Sequence, residues 1–254
     1  MLVQPKEITG KGKTSMKRGE LLYEGKAKKV YLTDDPDQVW VAYKDDATAY
    51  NAQKRGSIQD KGQWNNRISA RLFQYLGEKG ISHHFIKELS ATEQLVKRVS
   101  IIPLEVIVRN IAAGSLAKRL GMDEGVRFSK PVLEFCYKND QLGDPLINDD
   151  HIATLGLASN VQLAQMKEVS LLVNRFLSEK MGQCGITLVD FKLEFGLDGE
   201  GKLVLADEIS PDTCRFWDKE SGKRLDKDRF RRDLGDVEEA YHEIWSRLGG
   251  EAHV

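Results

Sequence analysis

The sequence predicts an α+β protein of two lobes: a smaller β-rich lobe, then a larger α/β lobe. Up to about residue 100 the chain reads as short strands and turns. Beyond it come mixed strands and long amphipathic helices. A doubly wound sheet would instead alternate strand and helix throughout. With 254 residues, the chain can bury a large core in one large or two small domains.

The elements follow from local pattern. Leu21 to Thr33 reads as two short strands around Glu24-Gly25-Lys26-Ala27-Lys28-Lys29. Gln38 to Tyr43 is a third, entered through the turn Asp34-Asp35-Pro36-Asp37. Gly56 to Gly62 reads as loop. Trp64, Ile68, Leu72, Tyr75 and Leu76 fall at helical spacing, and Gly77 and Gly80 end that helix. Gln94–Val99 and Leu104–Ile111 are strands flanking Pro103, and Ser115–Leu120 is a short helix after Gly114. Residues 121–160, rich in Asp, Asn, Gly and Pro, read as irregular. Leu163, Met166, Val169, Leu172, Val173, Phe176, Leu177 and Met181 mark a long helix. A hairpin over 186–209 follows, and one last helix runs from Phe230 to Leu248.

Composition excludes several classes. A net charge of −1 gives no sign of a nucleic-acid-binding face. No apolar run reaches the ~20 residues that span a bilayer. Ile101 to Ala113 is broken by Pro103, Glu105, Arg109 and Asn110, and the N-terminus has no apolar signal-peptide core. Residues 1–20 carry four lysines, one arginine and three glycines. They read as a mobile leader or a segment added for expression. Cys136, Cys184 and Cys214 form no CxxC pair and cannot all be paired. That fits a cytoplasmic, reducing setting and argues against zinc. Each is expected to be a small buried or half-buried residue.

The densest chemistry lies in Val189-Asp190-Phe191-Lys192-Leu193-Glu194-Phe195-Gly196. Apolar and charged residues alternate, so a strand here has one apolar and one charged face. Asp198-Gly199-Glu200-Gly201 is a hairpin turn, and Asp207-Glu208 follows on a second strand-like run. Pairing symmetric about that turn sets Glu194 opposite Asp207. Facing carboxylates repel unless a cation lies between them, and Mg²⁺ on nucleotide phosphates needs only one or two protein carboxylates. Asp207, however, shares the parity of Leu203, Leu205 and Ile209, so a bulge or slip would present Glu208 instead. The plainer alternative is an amphipathic hairpin with a solvated acidic face.

Other segments add to this. Glu24 to Tyr31 is a lysine-bearing turn whose glycine lets backbone approach a phosphate; a surface hairpin is the ordinary reading. Gly12-Lys13-Thr14 is not a P-loop, because residue 7 is Glu rather than Gly. In Pro103 to Ser115 an arginine, Arg109, closes an apolar strand and a Gly-Ser step opens a helix, a pairing suited to anions. A structural arginine and an N-cap serine are the alternative. Ser210 to Arg215 brings another arginine close behind the acidic run. His83, His84 and His151 have no partner pattern, and no nucleophile elbow occurs.

PLEVIVRNIAAGS (103–115) and LVDFKLEFG (188–196) resemble the two signature segments of the SAICAR synthetases, the phosphoribosylaminoimidazole-succinocarboxamide synthases of de novo purine biosynthesis. Tyr23 to Lys28, Lys61-Gly62, Asn65-Asn66, Asp207 to Asp212, Trp217-Asp218 and Asp226 to Arg231 match in the same order, over about residues 21–248. The resemblance implies a β-rich ATP lobe over 21–100, similar to the nucleotide lobe of kinases and ATP-grasp enzymes, and an α/β lobe over 101–254. It implies a ligase that uses ATP and Mg²⁺ to join L-aspartate to a carboxyaminoimidazole ribotide through an acyl phosphate. By similarity Lys26, Ala27, Lys28, Val30 and Lys97 meet ATP, and Glu194 and Asp207 hold Mg²⁺. Lys192 stabilises the transferring phosphoryl group. Arg109, Ser115 and Arg215 grip the ribotide, and Asp190 contacts its exocyclic amine or ribose. Bacterial members suggest a homodimer. The chain departs from the family at Asp45 to Asn51, where Ala47, Thr48, Tyr50, Asn51 and Ala52 stand for Thr, Ser, Phe, Asp and Gly. A small-molecule kinase, or a nucleotide-binding protein without catalysis, is the competing reading.

Overall fold

The computed structural model describes residues 16–49 and 54–250. Tyr50, Asn51 and Ala52, three of the departures just named, lie outside the described residues. β1 (Arg18–Glu24), β2 (Lys28–Thr33) and β3 (Gln38–Tyr43) form an antiparallel meander. β4 (Asp46–Ala49) and β5 (Lys54–Ser57) make a separate two-stranded ribbon, and α1 (Lys61–Glu78) follows. β6 (Phe85–Ser90) and β7 (Glu93–Lys97) complete a five-stranded sheet of order β1-β2-β3-β7-β6. Period-two burial in β3 puts Val39, Val41 and Tyr43 on one face, where with Val96 and Val30 they form a small core. β1 starts at Arg18, inside the stretch read as a leader.

Gly56 to Gly62 is not a simple loop. Gly56 and Ser57 belong to β5, and Lys61 and Gly62 open α1. Gly62 donates its N–H to Asp45 Oδ1 at 2.8 Å, and a Cβ there would meet the Tyr43 carbonyl oxygen at 3.0 Å. The missing side chain lets the helix start close against the end of β3.

The second sheet begins with β8 (Ser100–Ile111), followed by α2 (Gly114–Leu120), β9 (Arg127–Tyr137), β10 (Leu146–Ile147), α3 (Asp149–Thr154) and α4 (Asn160–Gln183). Next come β11 (Ile186–Leu197), β12 (Leu203–Ala206), β13 (Cys214–Asp218), α5 (Asp228–Arg231) and α6 (Val237–Arg247). The strand order is β10-β9-β8-β11-β12, and β13 also pairs with β11. β11 is therefore central. β8 lies along one edge; β13 and β12 divide the other between Ile186–Phe191 and Glu194–Leu197.

Three expectations are corrected. Residues 121–160 are not irregular: they contain β9, β10 and α3. Pro131 interrupts the apolar alternation of β9, which hid the strand. Pro103 does not separate two strands but sits inside β8, where pairing with β11 slips between Glu194 and Gly196. A bulge is where a strand tolerates proline. The last helix is two, α5 and α6, because Asp233, Gly235 and Asp236 all have positive φ between them.

The sheets part between Lys97 and Ser100, but the hydrophobic core does not. Trp64, Ile68, Leu72, Phe73 and Leu76 of α1 pack in one cluster with Val106 and Val108 of β8, Phe191, Leu193 and Phe195 of β11, Val173 and Leu177 of α4, and Tyr241 of α6. α1 thus ties the smaller sheet to the larger core. α4 opens with a capping box between Ser159 and Gln162, and its apolar stripe faces the sheet. Cys136 and Cys214 are buried and Cys184 half-buried, all free thiols, as their isolation in the sequence suggested. Among the described residues no helix is long and apolar enough to cross a membrane.

Gly196 marks the tightest crossing in β11. A Cβ there would stand 2.8 Å from Val99 Cγ2 and 3.1 Å from the Ser100 carbonyl oxygen. Gly196→Ala is expected to cost about 1–3 kcal/mol in urea unfolding, whereas Gly199→Ala, whose Cβ meets nothing nearer than 3.6 Å, should cost less. Equal midpoints for the two variants would contradict this packing.

Candidate active site

Two adjoining clefts lie where the sheets meet. The larger, about 580 Å³, runs between the β1–β2 turn and the charged face of β11. The smaller, about 360 Å³, lies over β8, β11 and β13. Lys26, Ala27, Lys28, Val30, Lys97, Lys192, Glu194 and Asp207 line the first. Arg109, Ser115, Asp190, Lys192 and Arg215 line the second. The fold thus brings into these clefts the side chains expected to meet ATP, metal and ribotide, and Lys192 stands in both.

The charged face of β11 is arranged by register. Asp190 pairs with Arg109 across β8 and with Arg215 across β13. Arg109 Nη1 donates to Asp190 Oδ2 at 2.9 Å, and Arg215 Nη1 donates to the same oxygen at 2.8 Å. The arginines are braced from behind: Arg109 Nε by Glu134 at 2.6 Å, Arg215 Nε by Asp228 at 2.9 Å. Asp190 is 3% exposed and engages both guanidinium groups. Asp228 is held down at about 2: burial opposes ionisation, but Arg215 and Arg231 outweigh it. Neighbouring Asp226, fully buried beside Asp228, is pushed up to about 7.

Ser115 is not the N-cap of α2. That position is Ala113, and Ser115 Oγ instead accepts from Arg109 Nη2 at 3.2 Å. Gly114 has φ 55°, and a Cβ there would collide with Arg215 Nη2 at 2.4 Å. Only glycine permits both the turn and the arginine's position.

Lys192 donates to Glu105 Oε1 at 2.6 Å and to Glu194 Oε1 at 3.3 Å. Burial favours its neutral form, but Glu194 and Glu105 outweigh burial and raise its pKa above the ordinary lysine value. Glu194 also takes the Lys138 ammonium. The same balance operates at Lys28, which grips Asp207 and Glu208: burial pulls it down, and the two carboxylates raise it well above normal. Asp207 answers in kind, raised by burial but lowered further by Lys28, Lys192 and Lys138.

The expected Glu194–Asp207 register is corrected. Glu194 pairs with Ala206. Asp207 follows the strand's last residue in a left-handed conformation, φ 61°, which returns its carboxylate to the cleft. For ordinary residues that conformation costs roughly 1–2 kcal/mol, less for Asp. Glu208, 4% exposed, faces the cleft as well, so the run presents both carboxylates.

Several cleft residues carried no assigned role in the sequence reading. Glu105 shares the parity of Ile107 and Arg109, and alternation would have found it. Lys138 and Asp144 fall in the stretch read as irregular, which gave no signal. Lys61, fully buried in α1, reaches Asp212 Oδ2 at 3.1 Å; Lys227 reaches it at 2.9 Å and Tyr241 donates to Oδ1 at 2.8 Å. Among the described residues, no three His, Cys, Asp or Glu side chains form a ready-made metal cage.

Comparison with known proteins identifies the family. The chain is 61% identical over 239 residues to the phosphoribosylaminoimidazole-succinocarboxamide synthase of Brevibacillus brevis, covering 94% of this chain and 100% of the relative. It is 55% identical to the Bacillus subtilis enzyme of that name, covering 93% and 98%. The crystal structure of the synthase from Ehrlichia chaffeensis superposes with a TM-score of 0.90 at 48% identity, covering 92% of this chain and all of that one. A SAICAR synthetase in complex with ADP superposes at 0.88, also at 48% identity, covering 91% and 99%. The family model for SAICAR synthetase matches residues 21–248, and the chain belongs to that family.

Proposed function

We propose that the chain is an ATP-dependent ligase. It joins L-aspartate to the carboxylate of 5-amino-1-(5-phospho-D-ribosyl)imidazole-4-carboxylate and yields SAICAR, ADP and phosphate in purine biosynthesis. The observation that carries this reading is the meeting of the larger, lysine-bearing cleft and an arginine-lined cleft along shared side chains, Lys192 of β11 among them. The cytoplasmic, homodimeric setting of bacterial members is part of the proposal and rests on the family likeness alone.

A carboxylate is a poor electrophile because oxide would have to leave. In the proposed sequence a ribotide carboxylate oxygen attacks the γ-phosphorus and ADP departs. The aspartate amine then attacks the acyl carbon, loses its proton as the amide forms, and phosphate leaves. The protein's task is to align the groups, balance charge and exclude water. Lys26, Ala27 and Lys28 cover the triphosphate, and Lys97 and Val30 lie at the base end. Arg109, Ser115 and Arg215 hold the ribotide's phosphate and carboxylate, a bidentate task suited to guanidinium. Asp190 bridges the two arginines and offsets their mutual repulsion. Lys192 stays an ammonium, so its part is electrostatic rather than that of a base.

Glu194, Asp207 and Glu208 supply hard oxygen donors along one cleft, each already beside a lysine that a cation could displace. That donor set fits Mg²⁺, which takes few protein carboxylates when phosphates supply the rest. Glu194 and Asp207 would hold it, and the bound ion would neutralise charge on the phosphates.

The deciding experiment is ADP release from MgATP and the ribotide, with and without L-aspartate. Aspartate-dependent release with succinocarboxamide formed is expected. Release without aspartate would favour a kinase; nucleotide binding without turnover would favour a binding protein. Arg109→Ala should raise the KM for ribotide by roughly tenfold or more, the worth of a charge-assisted pair, and leave that for ATP nearly unchanged. A parallel loss of both would contradict the assignment. Glu194→Gln should lower turnover at limiting Mg²⁺ while the fold survives; wild-type activity there would remove Glu194 from the metal site.

A further inference from the structure

We infer that His84 is a positioning residue for the nucleotide cleft: its Nε2–H holds the Asp207 carbonyl and so keeps the Asp207 carboxylate turned towards the ligand. The inference rests on the reading of that cleft as the MgATP site.

The need for such a device follows from strand parity. Ala206 pairs with Glu194, so it shares Glu194's face of the sheet. Continued as regular strand, the next residue would point to the opposite face, where Leu205 is buried in the core. Asp207 escapes because its backbone turns left-handed, at φ 61°. That conformation persists only where the surroundings fix it. His84 supplies the fixing contact: its Nε2 lies 3.1 Å from the Asp207 carbonyl oxygen. A carbonyl can only accept, so Nε2 carries the proton.

The histidine is itself held. Its ring is 6% exposed and packs against Phe73 at 5.3 Å. Its N–H donates to the Leu205 carbonyl at 2.9 Å, and its own carbonyl accepts from Lys97 N–H at 2.7 Å. One residue therefore joins β12, which leads to Asp207, to β7, which ends in Lys97. Both ends of the cleft are referenced to the same backbone unit. An aromatic hydrocarbon in its place would fill the space and lose only the hydrogen bond to residue 207.

The test uses the full chain with His84→Phe, His84→Gln and His84→Asn. The readouts are the dissociation constant for MgADP by calorimetry, the Mg²⁺ concentration giving half-maximal binding, the ribotide KM, and the thermal midpoint. His84→Phe should weaken MgADP binding and raise the Mg²⁺ requirement by about tenfold, the scale of one buried hydrogen bond, with the ribotide KM nearly unchanged. His84→Gln, whose amide nitrogen reaches the position of Nε2, should recover most of that loss. His84→Asn, one methylene shorter, should not.

Wild-type MgADP and Mg²⁺ dependence in a folded His84→Phe would overturn the inference. So would equal impairment of His84→Gln and His84→Phe with nucleotide and ribotide affinities falling together. Should His84→Phe fail to fold, the Gln and Asn variants decide, and identical behaviour overturns it. Because MgADP binding is read without turnover, absence of aspartate-dependent product from the wild-type chain would sink the ligase reading separately.

Discussion

The alternating charges of β11 constrain everything around them. Asp190, Lys192 and Glu194 project from a strand at the centre of a sheet, where an unpaired charge costs several kcal/mol. Each is therefore answered from a neighbour: Asp190 by Arg109 of β8 and Arg215 of β13, Lys192 by Glu105 of β8, Glu194 by Lys138 just past β9. The flanking strands are fixed in register as much by this pairing as by their apolar faces, since a one-residue slip would strand a charge in the core. The same pairing places two arginines, two lysines, two glutamates and an aspartate along the two clefts.

Pairing of this kind is poised rather than inert. The lysines that neutralise Asp207, Glu208 and Glu194 are the cations that phosphates would recruit, and the carboxylates they leave are those a metal would take. Breaking one partner of a buried pair is costly, but exchanging it for another of the same sign is not. The site can therefore be well packed without ligands and still accept them by exchange.

How much of this was legible follows the same logic. β11 could be read because one face is apolar and the other charged, which gives period two its full contrast. β3 and α1 were equally plain. β9 was not, because Pro131 interrupts its alternation, and with it Lys138 and Asp144 went unassigned. The turn at Asp207 was visible only as a contradiction: an acidic residue whose parity pointed inwards. Local pattern states that conflict but cannot resolve it, because the answer, a left-handed residue held by a histidine more than a hundred positions away, lies in tertiary contact. His84 likewise has no partner nearby in sequence.

Charge balance also bears on which form of nucleotide the larger cleft accepts. Its lining carries seven carboxylates (Glu105, Asp140, Asp144, Glu194, Asp207, Glu208, Asp212) and seven basic side chains (Lys26, Lys28, Lys97, Arg98, Lys138, Lys192, Lys227). A purely cationic pocket would draw in any polyphosphate. Here a bare triphosphate would add only negative charge to a cleft already in balance, in surroundings where Coulomb interactions are weakly screened. On the proposed reading, a metal complexed with the triphosphate would remove much of that cost and give the displaced carboxylates a partner. The acidic side chains would then favour the metal complex over the free nucleotide, and the basic ones would hold its phosphates.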